Sequence, residues 1–246
     1  MSTVEGTVDS FRRRLIGTLA RGCAVVPFLS FFPLLPAASE AGKPKEGEMK
    51  LPKADRVGRV SVEEALTERR TVRSFSSKLL DVRQLSQVLW AGQGITGAWG
   101  KRTAPSAGAL YPSFLYAATG RGTAAGIEPG LYRYVPEDHS LSIVSQRDIR
   151  GELARSCLSQ TWMARAPVSL VICSDYGRIT GKYGERGIRY AMIEAGHIAQ
   201  NIFIEAAAIG LSAGIVGAFI DGEAIKAMGI PQSHTPLLIM PVGYKG

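Results

Sequence analysis

The sequence has few cysteines and lacks the HExxH metal motif and the P-loop nucleotide motif. Its 246 residues include three Cys, which excludes a disulfide-rich scaffold. No HExxH or P-loop pattern occurs, and the three histidines show no metal-ligand spacing. The bare spacings GxGxxG and GxSxG occur at residues 92–97 and 210–214. We nevertheless expect no metal site, no nucleophile elbow and no dinucleotide fingerprint.

Basic residues are in excess but are not concentrated. The chain has 29 Lys and Arg against 21 Asp and Glu, a formal charge of +8, without a Lys/Arg run typical of nucleic-acid patches. The hydrophobic fraction of 46% excludes disorder of the whole chain. Only one apolar stretch approaches membrane-spanning length, which excludes a polytopic membrane protein. We expect a globular protein with no nucleic-acid partner.

Residues 1–48 have the composition of a leader followed by a linker. Arg12, Arg13 and Arg14 precede an apolar stretch over residues 15–36, and small residues follow, which is the order of a secretory signal. The arginines loosely resemble a twin-arginine export signal, so we expect a periplasmic protein. The alternatives are a retained anchor or a cytoplasmic protein that begins at Met49. Residues 42–53 are expected to form a Gly/Pro/Lys/Glu linker.

Residues 49–246 are predicted to form one domain of mixed helices and strands. Capping boxes at Ser61 and Asp81 predict two helices, and apolar spacing predicts a long helix over residues 189–209. Strands and helices do not alternate regularly, which favours an α+β layered domain over a doubly wound sheet. The predicted helices are 61–69, 81–92, 147–158, 189–209 and 221–228, and the predicted strands are 114–119, 131–135, 141–144, 168–173 and 237–242.

Two segments combine residue types suited to a flat, anionic ligand. Arg69, Arg70, Thr71 and Arg73 place three guanidiniums and a hydroxyl within five residues, which suits a phosphate. A solvated basic helix end is the alternative explanation. In residues 104–112, small residues between prolines allow the backbone to lie against a ligand plane, although a plain Pro/Gly loop has the same pattern.

Two further segments are weaker signals. Residues 194–201 carry His197 on the long predicted helix, where a lone histidine is more often structural than catalytic. Cys173 is predicted to be buried in a strand. Residues 214–219 contain Gly214 and Gly217, which would let main-chain N–H groups come close to a flat ring.

Together and in this order, the four segments resemble the FMN-dependent nitroreductase family, and within it the SagB-type azoline dehydrogenase branch. The resemblance covers about residues 50–244. It is carried mainly by RRTVRSF at 69–75, APSAGALYP at 104–112, RYAMIEAGHIAQN at 189–201 and GLSAGIVGAF at 210–219. It implies a three-layer α-β-α sandwich that forms an intertwined homodimer with two FMN molecules at its interface.

The resemblance also implies a position for each candidate residue around FMN. Many family members end with a basic pair near the phosphate, and here Lys245 alone could take its place. The expected contacts are the phosphate, ribityl chain and pyrimidine edge for Arg69, Arg70, Thr71 and Arg73; the ring for Pro105, Ser106, Ala107 and Gly108; the flavin N5 edge for Gly217 and Ala218; and the partner's flavin for Leu110 and Tyr111.

The implied activity is hydride exchange through flavin N5. The donor would be NAD(P)H or a quinol, and the acceptor a small electrophile such as a nitroaromatic or a quinone. One alternative is a SagB-type dehydrogenase that oxidises thiazolines or oxazolines in a peptide, and another is a flavin-binding protein without turnover. Tyr111 and Tyr183 are candidate proton donors on the substrate side, with structural or stacking contacts as the alternative for both.

Overall fold

A computed structural model describes residues 47–122 and 124–246. Its centre is an antiparallel seven-stranded sheet with the strand order β1-β4-β3-β2-β5-β7-β6. The leader and its export signal lie outside the described residues and stay predictions. The strands are β1 (Glu48–Lys50), β2 (Ser113–Thr119), β3 (Gly130–Val135), β4 (Ser140–Ser145), β5 (Val168–Asp175), β6 (Ser212–Ala213) and β7 (His234–Gly243).

Helices cover both faces of this sheet. No helix within residues 47–246 combines the length and the apolar character needed to cross a bilayer. The α-helices are α1 (Val62–Glu68), α2 (Val82–Gln93), α3 (Arg150–Ser156), α4 (Gly177–Tyr183), α5 (Arg186–Ala208) and α6 (Asp221–Met228), and short 3₁₀ helices span Ala98–Gly100, Ala107–Ala109 and Thr161–Arg165.

Side chains of the central strands alternate between two apolar cores. Leu115 and Ala117 of β2 pack in the core that contains α2 and α5. Tyr116 and Ala118 of the same strand pack in the core that contains α3 and α6. Because neighbouring residues of a strand point to opposite faces, one apolar strand serves both cores. The predicted three-layer α-β-α sandwich is confirmed.

Both predicted N-caps are confirmed, with the full capping box at Asp81 and the Ser61 side-chain bond alone at the start of α1, but two predictions about helix ends are wrong. Ser61 Oγ accepts from Glu64 N at 3.1 Å, and Asp81 forms a capping box. Gly92 does not end α2, since it is buried inside the helix, where a Cβ would lie 3.2 Å from Leu115. It permits close approach of α2 to the sheet. The helix predicted over 221–228 has the predicted bounds, but Asp221, expected as its N-cap, is its first helical residue and Ile220 takes the N-cap position.

The long predicted helix exists, but its buried face is shifted. Helical spacing of the apolar and small residues predicts Ile193 and Gly196 on the buried face, but both are exposed, as is His197. Glu194 is instead buried, with 1% of its surface exposed. The periodicity was read from the apolar residues alone, and it could not show that a carboxyl group faces the sheet.

The linker expected over residues 42–53 is wrong for its last part. Glu48–Lys50 forms β1, which pairs with β4, and Leu51 N donates to His139 O at 3.1 Å. The carboxylate of Glu48 also accepts a hydrogen bond from Ser140 Oγ. Pairing with a distant strand overrides the loop-like composition of this segment.

Candidate functional site

The basic segment after α1 lies along the edge of the sheet. Thr71 forms a parallel bridge with Ala213 of β6, and Val72 N donates to Ala213 O at 2.9 Å. Phe75 forms an antiparallel bridge with Lys245. The folded chain therefore brings its C-terminal lysine beside the arginines at residues 69–73.

Arg69, Arg70 and Lys245 line a cleft of about 370 Å³. The guanidinium of Arg69 lies 5.3 Å from the centre of the Phe203 ring, and Arg70 Nη1 donates to the backbone oxygen of Thr67 at 2.7 Å. Within residues 47–246, none of the three cations forms an ion pair. The cleft therefore has positive charge that an anionic group could neutralise.

The small-residue loop 104–112 has a backbone conformation that most residues avoid. Gly108, Ala109 and Tyr111 have φ angles of 61°, 53° and 45°. Two of these three residues are not glycine, so the conformation costs free energy that other contacts must offset. One such contact is a hydrogen bond in which Tyr111 N donates to Ser106 Oγ at 2.9 Å.

Two polar side chains of α4 lie against the exposed backbone of this loop. A Cβ atom built on Gly108 would lie 2.7 Å from Tyr183 Oη and 2.9 Å from Lys182 Nζ. The ring of Tyr183 is held by an edge-on contact with Tyr190 at 5.2 Å between centroids. The Lys182 amine and the Tyr183 phenol therefore lie together against the backbone of Gly108, which has no side chain.

The sheet explains why these segments meet. Ser113, which follows the loop, pairs with Ser174 just before α4, so both segments leave the same end of the sheet. Val216 pairs with Ile239 of β7, and the chain continues from it toward that same end. Gly217 follows Val216 and is exposed, as is the next residue, so the predicted N5 contacts have accessible backbone.

Glu194 lies beneath the loop as a buried carboxyl group. The hydroxyls of Ser106 and Ser113 approach it, but neither carboxylate oxygen has a partner in full hydrogen-bond geometry. Burial raises the pKa of Glu194, and these hydroxyls and the charge of Arg102 offset the effect only in part. Desolvation thus favours the neutral acid at this position.

Tyr111 is held on the other side of the loop. Its ring lies 4.6 Å from the guanidinium carbon of Arg102, and its hydroxyl accepts a hydrogen bond from Arg102 N at 3.3 Å. These contacts favour a structural and stacking role for Tyr111. Tyr183 is the candidate proton donor that lies at the bare backbone of Gly108.

Apart from Gly217 and Ala218, which lie toward the loop end of the sheet, the predicted site residues fall into two groups within one chain. The edge group lies at the end of β7 near Val242, where β6 pairs, and the loop group lies at the opposite end of the central strands. Gly217 lies beside Leu238 of β7. Leu238 and Val242 are about 13 Å apart along the strand, at about 3.3 Å per residue. The edge group is Arg69, Arg70, Thr71, Arg73 and Lys245, and the loop group is Pro105, Ser106, Ala107, Gly108, Leu110, Tyr111 and Tyr183.

Sequence reasoning missed Lys182 and Glu194. Lys182 lies on α4, a helix of seven residues with Ile179 as its one buried residue, so no apolar periodicity announces it. Glu194 stands in a motif that was noted for its histidine. A carboxyl group within an otherwise small and apolar helix face was the signal that could have identified it.

A model of the Nitroreductase family matches residues 66–244. A Methanocaldococcus jannaschii protein provisionally named a nitroreductase is 40% identical over 198 residues, which cover 80% of this chain and 96% of that protein. The Escherichia coli microcin B17-processing protein McbC is 28% identical over 148 residues, 58% of this chain and 54% of that protein. The chain thus spans about half the length of McbC.

Two solved structures show the same fold. A Ralstonia eutropha protein, also provisionally named a nitroreductase, is 27% identical with a TM-score of 0.72, over 86% of this chain and 93% of that one. The NADPH:FMN oxidoreductase of Vibrio harveyi is 19% identical with a TM-score of 0.54, over 75% of this chain and 68% of that one. The family model covers most of the sequence, and the match to the Methanocaldococcus jannaschii protein covers nearly the full length of that protein. The chain therefore belongs to the nitroreductase family of oxidoreductases.

Proposed function

We propose that the chain is an FMN-dependent oxidoreductase that passes hydride from a reduced donor to a small electrophilic acceptor. The donor is NAD(P)H or a quinol, and the acceptor is a compound such as a nitroaromatic or a quinone. The observation that carries this proposal is the meeting of Lys182 Nζ and Tyr183 Oη at the bare backbone of Gly108. Polar donors above a flat, side-chain-free surface suit an acceptor lying on a planar ring.

The residues of the edge group fit the phosphate of FMN. Arg69, Arg70 and Lys245 present cationic groups without carboxylate partners among the described residues, and charge-assisted hydrogen bonds from such groups bind phosphate strongly. The exposed backbone of Gly217 and Ala218 lies about 13 Å away along the sheet, which suits an elongated ligand with one anionic end. When bound, FMN supplies the hydride-transferring ring.

The chain's own residues have distinct tasks in this proposal. Tyr183 Oη donates a proton to an oxygen of the acceptor, and Lys182 Nζ stabilises the negative charge that develops there. Gly108 leaves room for both. Leu110 and Tyr111 contact the flavin of a second chain, so the proposed enzyme is a homodimer.

An anaerobic spectrum of the full-length protein tests the proposal. After incubation with FMN and removal of the excess, we expect a flavin band that bleaches on addition of NADH, NADPH or a quinol and returns when a quinone is added. Arg69→Gln should weaken FMN retention by about tenfold or more, because it removes a charge-assisted contact. Arg155→Gln, which changes an exposed arginine on α3, is the matched control.

Two results would count against the proposal in different ways. Protein that retains no FMN refutes the cofactor assignment. Protein that retains FMN which none of the three donors reduces refutes the donor assignment and favours a flavin-binding protein without turnover.

The similarity to McbC favours a second candidate function, oxidation of an azoline in a peptide. In that reaction a thiazoline or oxazoline would lose two hydrogen atoms, a hydride and a proton, and become aromatic; bound FMN would supply the two-electron oxidant. Incubation of the FMN-loaded protein with a thiazoline peptide, followed by mass spectrometry, tests it. A product lighter by two hydrogens supports this function, and an unchanged peptide under conditions that reduce a quinone supports the first.

A further inference from the structure

Helix α4, which carries the amine and the phenol of the proposed acceptor site, has little buried surface to hold it in place. Ile179 is the one buried residue among its seven. Its first turn is held instead by polar contacts with the end of β5. Asp175 Oδ1 accepts from Gly177 N at 2.9 Å, and Asp175 Oδ2 lies 3.7 Å from Arg178 Nε. The placement of α4 therefore depends on contacts made where the helix begins.

Arg178 also contacts an aromatic stack on the sheet. Its guanidinium carbon lies 4.4 Å from the centre of the Phe114 ring. The Phe114 ring stacks with the His234 ring at 4.0 Å between centroids and an angle of 22° between planes. Tyr116 Oη lies 2.7 Å from His234 Nδ1. One arginine thus joins α4 to side chains of β2 and β7.

These contacts lie on one face of the sheet. Phe114 and Tyr116 are two residues apart on β2 and point to the same side, toward the core that contains α3 and α6. Asp175 of β5 and His234 of β7 are paired across their strands, so their side chains also share a face. The hydrogen bond between Tyr116 and His234 makes it the same face. A continuous set of contacts therefore runs from this core to α4.

His234 is the titratable member of the set, and it is neutral at pH 7. It is 9% exposed, and burial lowers its pKa from the ordinary value of 6.5. The charged groups that face it are Asp175 of β5, which raises the pKa, and Arg178 of α4 and Arg133 of β3, which lower it. Burial also raises the pKa of Tyr116, so the phenol keeps its proton and donates to Nδ1 of the imidazole.

A proton added to His234 would act against the contacts of Arg178. The imidazolium would repel the guanidinium and attract the carboxylate of Asp175, which Arg178 also uses. A protonated Nδ1 is a donor only, so it would no longer accept from Tyr116. Below about pH 6.5, α4 therefore loses part of what holds it at neutral pH.

We propose that Phe114 and His234 are positioning residues that hold α4 through Arg178. Protonation of His234 loosens this hold, so that the helix no longer keeps its amine and phenol at Gly108. Arg178 and Lys182 are four residues apart and share a helix face, so a shift at one is passed to the other. This inference rests on the proposed function, because it concerns the groups assigned there to the acceptor.

Hydrogen–deuterium exchange of the full-length protein at pH 7.5 tests the positioning without a flavin. The Arg178 side chain is 49% exposed, and a cation–π contact at such a site is weak. Arg178→Met removes this contact and keeps a long side chain, so exchange in residues 177–184 should become about twofold to fivefold faster. Residues 113–119 of β2 should exchange as before. Arg178→Lys, which keeps the charge, should have a smaller effect, and Arg155→Met, at an exposed position of α3, is the matched control.

The same measurement at pH 5.5 tests the role of His234. The double variant Tyr116→Phe with His234→Phe keeps both rings, removes the titrating group and leaves no hydroxyl without a partner. At pH 5.5, residues 177–184 should exchange faster in the unaltered protein than in this variant. At pH 7.5 the two proteins should exchange alike in this segment.

Stopped-flow reoxidation of the FMN-loaded, dithionite-reduced protein by a quinone tests the link to the reaction. At pH 7.5, Arg178→Met should lower the rate by about twofold to fivefold and leave FMN retention unchanged. The ratio of the rates at pH 7.5 and pH 5.5 should be larger for the unaltered protein than for the double variant.

The outcomes separate this inference from the proposed function. Equal exchange of residues 177–184 in Arg178→Met and the unaltered protein overturns the positioning by Arg178. Equal exchange at pH 5.5 in the double variant and the unaltered protein overturns the role of His234. Faster exchange with an unchanged reoxidation rate overturns the link to the acceptor. A protein that retains no FMN refutes the proposed function, while the exchange measurements still decide whether these residues hold α4.

Discussion

The two ends of strand β2 treat a buried hydroxyl in opposite ways. At one end, Thr119 Oγ1 donates to Glu128 O at 2.9 Å and accepts from Gly130 N at 3.1 Å. At the other end, Ser113 Oγ is buried without a partner. The Thr119 hydroxyl thus ties β2 to the start of β3. The Ser113 hydroxyl lies at the end of the sheet that carries the loop 104–112 and helix α4.

The contrast extends beyond one strand. In the described part of the chain, the buried side-chain atoms without hydrogen-bond partners cluster around the end of the sheet where Ser113 lies. Ser174 of β5 pairs with Ser113 of β2, and Glu194 of α5 approaches Ser113. Unsatisfied polar groups are rare in folded proteins, and their concentration at one place indicates a function that the fold tolerates at some cost. The atoms belong to Gln93, Arg102, Ser113, Ser174 and Glu194.

The largest expected effect is on turnover at the functional end. Tyr183→Phe or Lys182→Met should lower the rate of acceptor reduction about 100-fold, because each removes a group proposed to act on the acceptor. FMN retention and thermal unfolding should stay unchanged. Stopped-flow reoxidation of the reduced protein measures the rate. Tyr190→Phe keeps the ring that packs on Tyr183 and is the control, and equal rates in all variants would exclude the pair from the reaction.

A stability measurement compares the two hydroxyls directly. Thr119→Val should lower the free energy of unfolding by about 1–3 kcal/mol, since it leaves the buried N–H of Gly130 without its acceptor. Ser113→Ala should change it by less than about 0.5 kcal/mol, because no hydrogen bond is lost. Denaturant titration of both variants checks this. Equal losses would mean that Ser113 has a partner after all.

The buried carboxyl group of Glu194 should make the stability of the protein depend on pH. Since the folded state raises the pKa of Glu194 above 4.5, ionisation costs stability as the pH rises above that value. Glu194→Gln should therefore stabilise the protein by on the order of 1 kcal/mol at pH 7 and have little effect at pH 4. Unfolding curves at both pH values measure the difference. A pH-independent effect would show that ionisation of this group is not involved.

The smallest effect concerns the backbone of the loop. Ala109→Gly should raise the free energy of unfolding by about 0.5–1 kcal/mol, because glycine adopts a φ of 53° without steric cost. Ala107→Gly, two residues away and without a positive φ, should lower it by a similar amount. Thermal unfolding of the two variants checks the signs. Destabilisation by both would argue against strain at Ala109.

Patterns local in sequence predicted most helices and strands of the fold. The capping signals of α1 and α2 and the apolar runs of β2 and β5 lie within a few residues, and their predictions are confirmed. The arginines at 69–73 are likewise adjacent in the chain. Their closeness was predictable for this reason, whereas the cleft that Arg69 and Arg70 line with Lys245 depends on the pairing of Phe75 with Lys245.

Features made by tertiary contact were not predictable in this way. Strand β1 exists because β4 pairs with it, although its own composition is that of a linker. Lys182 meets Gly108 because the loop 104–112 and helix α4 leave the same end of the sheet, and the intervening sequence carries no signal of this contact. The unpartnered donors of Gln93 and Ser113 depend on the positions of neighbouring atoms, which a sequence pattern does not specify.

The contact at Gly108 also means that substitutions tolerated at position 108 depend on the residue at position 183. A methyl group at position 108 would meet the phenol and the amine at distances that real Cβ atoms do not show, and the φ of 61° already disfavours a side chain. Compensation must therefore come from outside the loop. In a library randomised at positions 108 and 183, we expect folded survivors with alanine at 108 to carry a residue smaller than tyrosine at 183. Such coupled replacement would reshape the acceptor site while leaving the sheet intact, so these two positions are a joint starting point for engineering acceptor specificity.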